Sequence, residues 1–137
     1  MQPANSERRA HPRILLESPA LLHFDDSARL QVVAADLSAT GFGITCAGAV
    51  ALELERRLES GDPSLCKALV SLQLPVGFSR AHLDTVSRLA WIDVRSNGFA
   101  LAGLEFMSLA PEDESFLEQV VAESIADVRA ALRQLVS

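Results

Sequence analysis

The dipeptide Asn97-Gly98, set between two alternating apolar runs, constrains this chain more than any other feature. The runs HLDTVSRLAWIDV and FALAGLEFMSL read as strands, and Asn-Gly is a strong hairpin signal because both turn positions tolerate positive φ. The same alternation recurs upstream. RILLESPALLHF, interrupted by Ser18-Pro19, leads through the turn DDS into ARLQVVAADLS, where Leu30, Val32 and Ala34 share one face and Gln31, Val33 and Ala35 the other. ATGFGITC resumes as a short strand after Gly41, and KALVSLQLP alternates through Ala68, Val70, Leu72 and Leu74. Several short strands separated by turns imply an antiparallel barrel or sandwich.

Two segments break the period of two. AVALELERRLESGDP carries Val50, Leu54 and Leu58 at helical spacing and a Glu53–Arg57 pair at i,i+4, and Gly61 and Pro63 supply the stop. It predicts an inserted helix over about residues 49–60, with the charges of ELERRLE solvating one face. From Pro111 to Val136, acids in the first turn and the stripe Leu117, Val120, Val121, Ile125, Val128, Leu132 and Leu135 predict a C-terminal helix. Such a stripe packs on its own barrel, and its far end offers a homodimer contact. Residues 1–12 read as a flexible lead-in and 13–137 as one domain.

Composition narrows the function. No apolar run approaches the roughly 20 residues that span a bilayer, and the N-terminus lacks a signal-peptide h-region, so a cytoplasmic protein without membrane insertion is expected. A formal net charge of −6 argues against binding DNA or RNA polymers, which needs a broad basic face. Cys46 and Cys66 have no short-spaced partners, so two buried thiols in a reducing compartment are expected, with no metal site. No nucleophile, base and orienting acid follow a recognisable pattern, and the reading is of a protein that is not an enzyme.

Against that acidic background, ERRAHPR concentrates three arginines just before the first strand. Two spaced motifs follow in order: Arg9-x-x-x-Arg13, then Asp36-x-Ser38-x-x-Gly41 in the turn that closes the second strand. Because the start of one strand and the end of the next lie side by side in a hairpin, the motifs should converge at one rim. Arginine's planar fork matches phosphate oxygens and the O6 and N7 acceptors of guanine. A carboxylate only accepts, which suits guanine's N1–H and amino group, and a serine hydroxyl can donate to phosphate. Glycine permits a turn conformation or a close approach where a Cβ would clash.

RRAHPR followed by DLSATG resembles the paired motifs of PilZ domains, receptors for the bacterial second messenger cyclic di-GMP, and LAGLEF followed by PEDESFLEQVV is similar to that family's last strand and C-terminal helix. The resemblance implies a mainly β fold, a split antiparallel barrel of roughly six strands with a C-terminal helix. It implies that Arg9 and Arg13 grip guanine faces and phosphates, that Asp36 and Ser38 contact base and phosphate, and that Gly41 shapes the turn. Arg8 is an added phosphate or stacking contact, suited to a self-stacked nucleotide dimer. The chain departs from the family between Thr45 and Lys67, where the inserted helix replaces a short connection. His11 stands inside the Arg motif as a stacking or loop residue, His23 and His82 read as strand-surface residues, and Trp91 reads as core or rim packing. The expected mechanism folds the lead-in over the barrel rim when ligand binds, signalling through an unidentified protein partner in motility, biofilm or exopolysaccharide control. The competing reading is a nucleotide-independent adaptor or oligomerisation module acting through its helices.

Overall fold

Strand β1 (Ile14–Phe24) turns at Asp25-Asp26-Ser27 into β2 (Arg29–Leu37), and a tight turn leads on to β3 (Gly41–Ala47). Helix α1 (Gly48–Glu59) and the single turn α2 (Pro63–Cys66) follow, then β4 (Lys67–Val76), β5 (Ser79–Val94), β6 (Phe99–Ser108) and the terminal helix α3 (Pro111–Val136). The structure is a computed structural model and describes residues 13–76 and 79–136. All neighbouring strands are antiparallel, and the order β1-β2-β3-β6-β5-β4 closes into a barrel through the β1–β4 pair. That closing pair involves only the second half of β1, from Ala20 to Phe24, while Ile14, Leu15, Ser18 and Pro19 pair with β2 alone and the register shifts between Leu15 and Ser18.

The alternating residues fill the barrel. Leu22, Phe24, Val32, Ala34, Ile44, Val70, Leu72, Leu74, Leu89 and Leu104 are all buried, and each fully buried leucine contributes about 1.5–3 kcal/mol by leaving water. Helix α3 lies against β1, and its Leu117, Val120 and Val121 join this core. Farther along α3, the side chains of Ile125, Val128, Leu132 and Leu135 lie outside the described residues.

Helix α1 corrects one expectation. Arg57 does not solvate the helix surface; it is 1% exposed. Its Nη2 donates to both carboxylate oxygens of Asp26 (3.0 and 2.9 Å), and Nη1 donates to the Leu65 carbonyl at 3.0 Å. The guanidinium carbon sits 3.9 Å from the centroid of the Phe24 ring. Nε lies 2.9 Å from Glu53 Oε2, out of line for a hydrogen bond, so charge alone holds that pair. The helical period places Arg57 inward between Leu54 and Leu58, and the β1–β2 turn supplies a carboxylate to meet it. Arg56 takes the exposed position instead and pairs with Glu53 at 2.6 Å.

Two smaller differences have equally local causes. At the β5–β6 hairpin only Gly98 has positive φ (85°), and Gly98 N donates to Arg95 O at 3.1 Å. Asn97 keeps an ordinary φ and uses its side chain to accept from Phe99 N at 3.1 Å, so this is a longer turn ending in a left-handed glycine. Of the two thiols, Cys66 is buried and Cys46 only half-buried; neither is paired, and burial pushes both up from the ordinary thiol range.

Candidate functional site

A strict period of two along β2 would carry Asp36 inward after Val32 and Ala34, and along β5 would carry Trp91 inward after Leu89. Neither points there, because each strand holds one extra residue just before it. The register passes from Ala34↔Ile44 to Asp36↔Gly43, with Ala35 left over, and from Leu89↔Leu104 to Trp91↔Gly103, with Ala90 left over. A bulge of this kind re-aims the next side chain to the opposite face. Trp91 is therefore 44% exposed rather than core, which corrects the core-packing expectation, and it lies on the barrel's outer surface.

The two re-aimed side chains face one another across a floor without side chains. Gly43 of β3 pairs with Gly103 of β6. A Cβ on Gly43 would run into the Asp36 carboxylate, and one on Gly103 would run into the Trp91 indole. Asp36 and Trp91 thus lie down over two adjacent glycines, which sequence reasoning did not single out. The pairing row Leu15–Asp36–Gly43–Gly103–Trp91 crosses five strands.

Arg13 enters this row from the start of β1. Its Nη1 donates to Asp36 Oδ1 at 2.5 Å, and the same oxygen accepts from Gly43 N at 3.0 Å. Arg13 and Asp36 thus converge as the hairpin geometry required, although Asp36 sits inside β2 rather than in the turn after it. Ser38 does occupy that turn, but it is 1% exposed. Its hydroxyl faces Gly41 O at 3.3 Å and Thr40 Oγ1 at 3.2 Å, and accepts from Thr40 N at 3.3 Å, so in this structure it braces the turn. Gly41 opens β3 without positive φ; a Cβ there would collide with the Leu104 carbonyl of β6, so the glycine serves close strand approach rather than turn conformation. Arg8, Arg9 and His11 lie outside the described residues.

A cavity of about 290 Å³ lies at the Gly103 side of this floor, lined by Arg13, Thr40, Gly41, Trp91, Gly103 and Glu105 among others. At its β5 side Arg88 Nη2 donates to Glu105 Oε1 at 2.8 Å, a second ion pair that the sequence reading passed over. The site therefore presents two guanidinium–carboxylate pairs and an aromatic face, with Asp36 and Trp91 laid over the paired glycines between them. That suits a flat, partly anionic ligand able to stack.

A larger groove of about 590 Å³ crosses the outer face of the barrel elsewhere, lined by Leu21, Val33, Val50, Gln31, Gln73 and His82 among others. Beside it Asp84 accepts from Ser71 Oγ at 2.9 Å and lies 2.8 Å from His82 Nε2, which is strand-surface as expected. The Ser71 hydroxyl first, then His82, holds the Asp84 carboxyl below its ordinary range. Among the described residues no group of three His, Cys, Asp or Glu stands where it could hold a metal ion, and no helix is long and apolar enough to cross a membrane.

The geometry has counterparts among known proteins. In structure the chain is similar to the inhibitor of motility MotI/DgrA of Bacillus subtilis, with 16% identity and a TM-score of 0.68 over 88% of this chain and 52% of that one. It is similar to YcgR of Escherichia coli in complex with c-di-GMP, with 16% identity and a TM-score of 0.69 over 93% and 50%. Against the separate PilZ domain of YcgR with c-di-GMP, identity is 14% and the TM-score 0.63, over 92% of this chain and 98% of that one. The chain thus spans about half the length of the first two proteins and nearly all of the isolated domain. No curated protein matches its sequence. The sequence profile described as PilZ domain, however, matches residues 7–123. That match takes in all six strands of the barrel and covers most of the chain, and the chain belongs to the PilZ domain family.

Proposed function

We propose that this domain is a receptor for c-di-GMP, held on the outer barrel face between Arg13 and Trp91. The observation that carries the reading is the pair of bulges that bring Asp36 and Trp91 over a floor of paired glycines beside Arg13. A purine can stack on the indole, which the missing Cβ of Gly103 lets settle onto the sheet, and the guanidinium fork matches phosphate or guanine acceptors. The c-di-GMP complexes of YcgR and of PlzA from Borreliella burgdorferi support this ligand class. Arg8 and Arg9 precede Arg13 by a few residues and extend the clamp from its N-terminal side. The fixed charges hold an anion and the indole stacks a base, so the module binds and does not catalyse.

Ligand that draws Arg8, Arg9 and Arg13 together changes the surface a protein partner meets, and the messenger acts through its higher affinity for that state. The description of MotI as an inhibitor of motility supports motility as the output. The compartment that follows is the cytoplasm, where a second messenger circulates.

The test is calorimetric titration of c-di-GMP into wild type and Arg13→Ala, with GTP as control. Micromolar or tighter binding is expected, absent for GTP. Arg13→Ala should weaken it by about 1–3 kcal/mol, or roughly 5–150-fold. The heat also counts nucleotides per chain. No binding to wild type, together with a solution mass unchanged by nucleotide, would favour the adaptor reading.

A further inference from the structure

A receptor must tell guanine from other purines, and the donor edge of guanine, its N1–H and 2-amino group, is where it differs most. An acceptor-only group reads that edge best, and a carboxylate is the side chain with two acceptors and no donor. Two carboxylates stand at the site, Asp36 and Glu105, and of these Glu105 lines the cavity. Asp36 is the less available: its side chain is 30% exposed, it is not among the residues lining the cavity, and its Oδ1 already takes both Arg13 and the Gly43 amide. Glu105 is different. Its side chain is 56% exposed, it lines the cavity, and Oε1 takes Arg88, leaving Oε2 without a described donor.

Position supports the same choice. Glu105 follows Gly103 by two residues on the outer face of β6 and pairs with Gly41 on one side and Arg88 on the other. Two residues along a strand cover roughly 6–7 Å. A base stacked on the indole that covers Gly103 therefore extends its edge toward the Glu105 carboxylate. A bare carboxylate would repel a phosphate-bearing ligand, but Arg88 neutralises it. The pair adds an acceptor to an anion site without adding net charge.

Resting on the c-di-GMP reading, we propose that Glu105 selects guanine, its carboxylate accepting from the N1–H and 2-amino groups of a base stacked on Trp91, with Arg88 as the residue that positions it. An exposed cross-strand ion pair with no further role would be nearly neutral for stability and silent in binding.

The decisive probe is cyclic di-inosine monophosphate, which lacks only the 2-amino groups. Wild type should bind c-di-GMP about 10–150-fold more tightly than the inosine analogue, the span expected for a hydrogen bond to a charged group. In Glu105→Gln, one acceptor becomes a donor, and the preference should fall to about one- to threefold while thermal stability stays at the wild-type value. Arg88→Gln should narrow the preference less, since the carboxylate remains. If wild type binds c-di-GMP but Glu105→Gln keeps the full preference over the inosine analogue, Glu105 is not the selector. If wild type binds neither nucleotide, the receptor reading falls, and this assignment falls with it.

Discussion

Whether a glycine can be replaced depends on what its missing Cβ would meet, and the three glycines at this site differ in that respect. At Gly41 the obstacle is the Leu104 carbonyl, which is backbone and can yield only if β3 and β6 separate. At Gly103 it is the Trp91 indole, an exposed ring free to swing aside. Gly41→Ala should therefore destabilise the fold by about 1–3 kcal/mol in denaturant titration. Gly103→Ala should leave stability within about 1 kcal/mol and weaken c-di-GMP instead, because the ring loses its seat. Trp91 is the sole tryptophan of the chain, so its emission reports the site directly. Quenching on c-di-GMP addition is expected, and loss of the ring in Trp91→Ala should cost about 1–3 kcal/mol of affinity by calorimetry. An emission spectrum indifferent to saturating ligand would remove Trp91 from the site.

Helix α1 is joined to the barrel through Arg57, which meets the β1–β2 turn at Asp26, the Phe24 ring and the Leu65 carbonyl. Arg57→Ala removes all three contacts and leaves a cavity, and should cost about 3 kcal/mol in urea unfolding. The Asp26 carboxyl is held below its ordinary range, first by the hydrogen bond from Arg57, and Glu53 likewise, first by Arg56. A depressed folded value means that each carboxylate stabilises above its unfolded value, about 4, and loses that contribution as pH falls through the folded one. The urea midpoint should be level from pH 7 to about 5 and drop below about 4, and Asp26→Asn should flatten part of that drop. A midpoint that falls equally in the variant would show that other carboxylates govern the acid limb.

At the scale of the whole molecule the barrel is closed, so ligand binding need not create the fold and acts on a platform already built. A ligand that binds only the folded chain raises its stability by about 2.7 kcal/mol at a hundred times Kd. The melting temperature should therefore rise by several degrees with c-di-GMP and stay level with GTP. Helix α3 completes the core through Leu117, which is fully buried. Leu117→Ala should cost about 2–5 kcal/mol. A smaller loss would mean that α3 is an accessory to the barrel and not part of its core.

Strand alternation, the Asn97-Gly98 turn and the stop at Gly61 and Pro63 are local properties, so the six strands, the inserted helix and the terminal helix were legible in the residues alone. The meeting of Arg13 with Asp36 was legible too, because hairpin connectivity makes it a short-range consequence of order. Single side chains were harder to place. Arg57 reads as one more helical charge until the β1–β2 turn brings Asp26 to it, and Ser38 reads as a donor until its turn folds the hydroxyl inward. Trp91 and Asp36 follow an apolar alternation that points both inward, and one surplus residue in each strand reverses them. A bulge is decided by how two strands pair, and pairing partners distant in sequence leave no local trace. The residues alone determined which elements form and in what order; which face each functional side chain meets was decided only when the strands came into register.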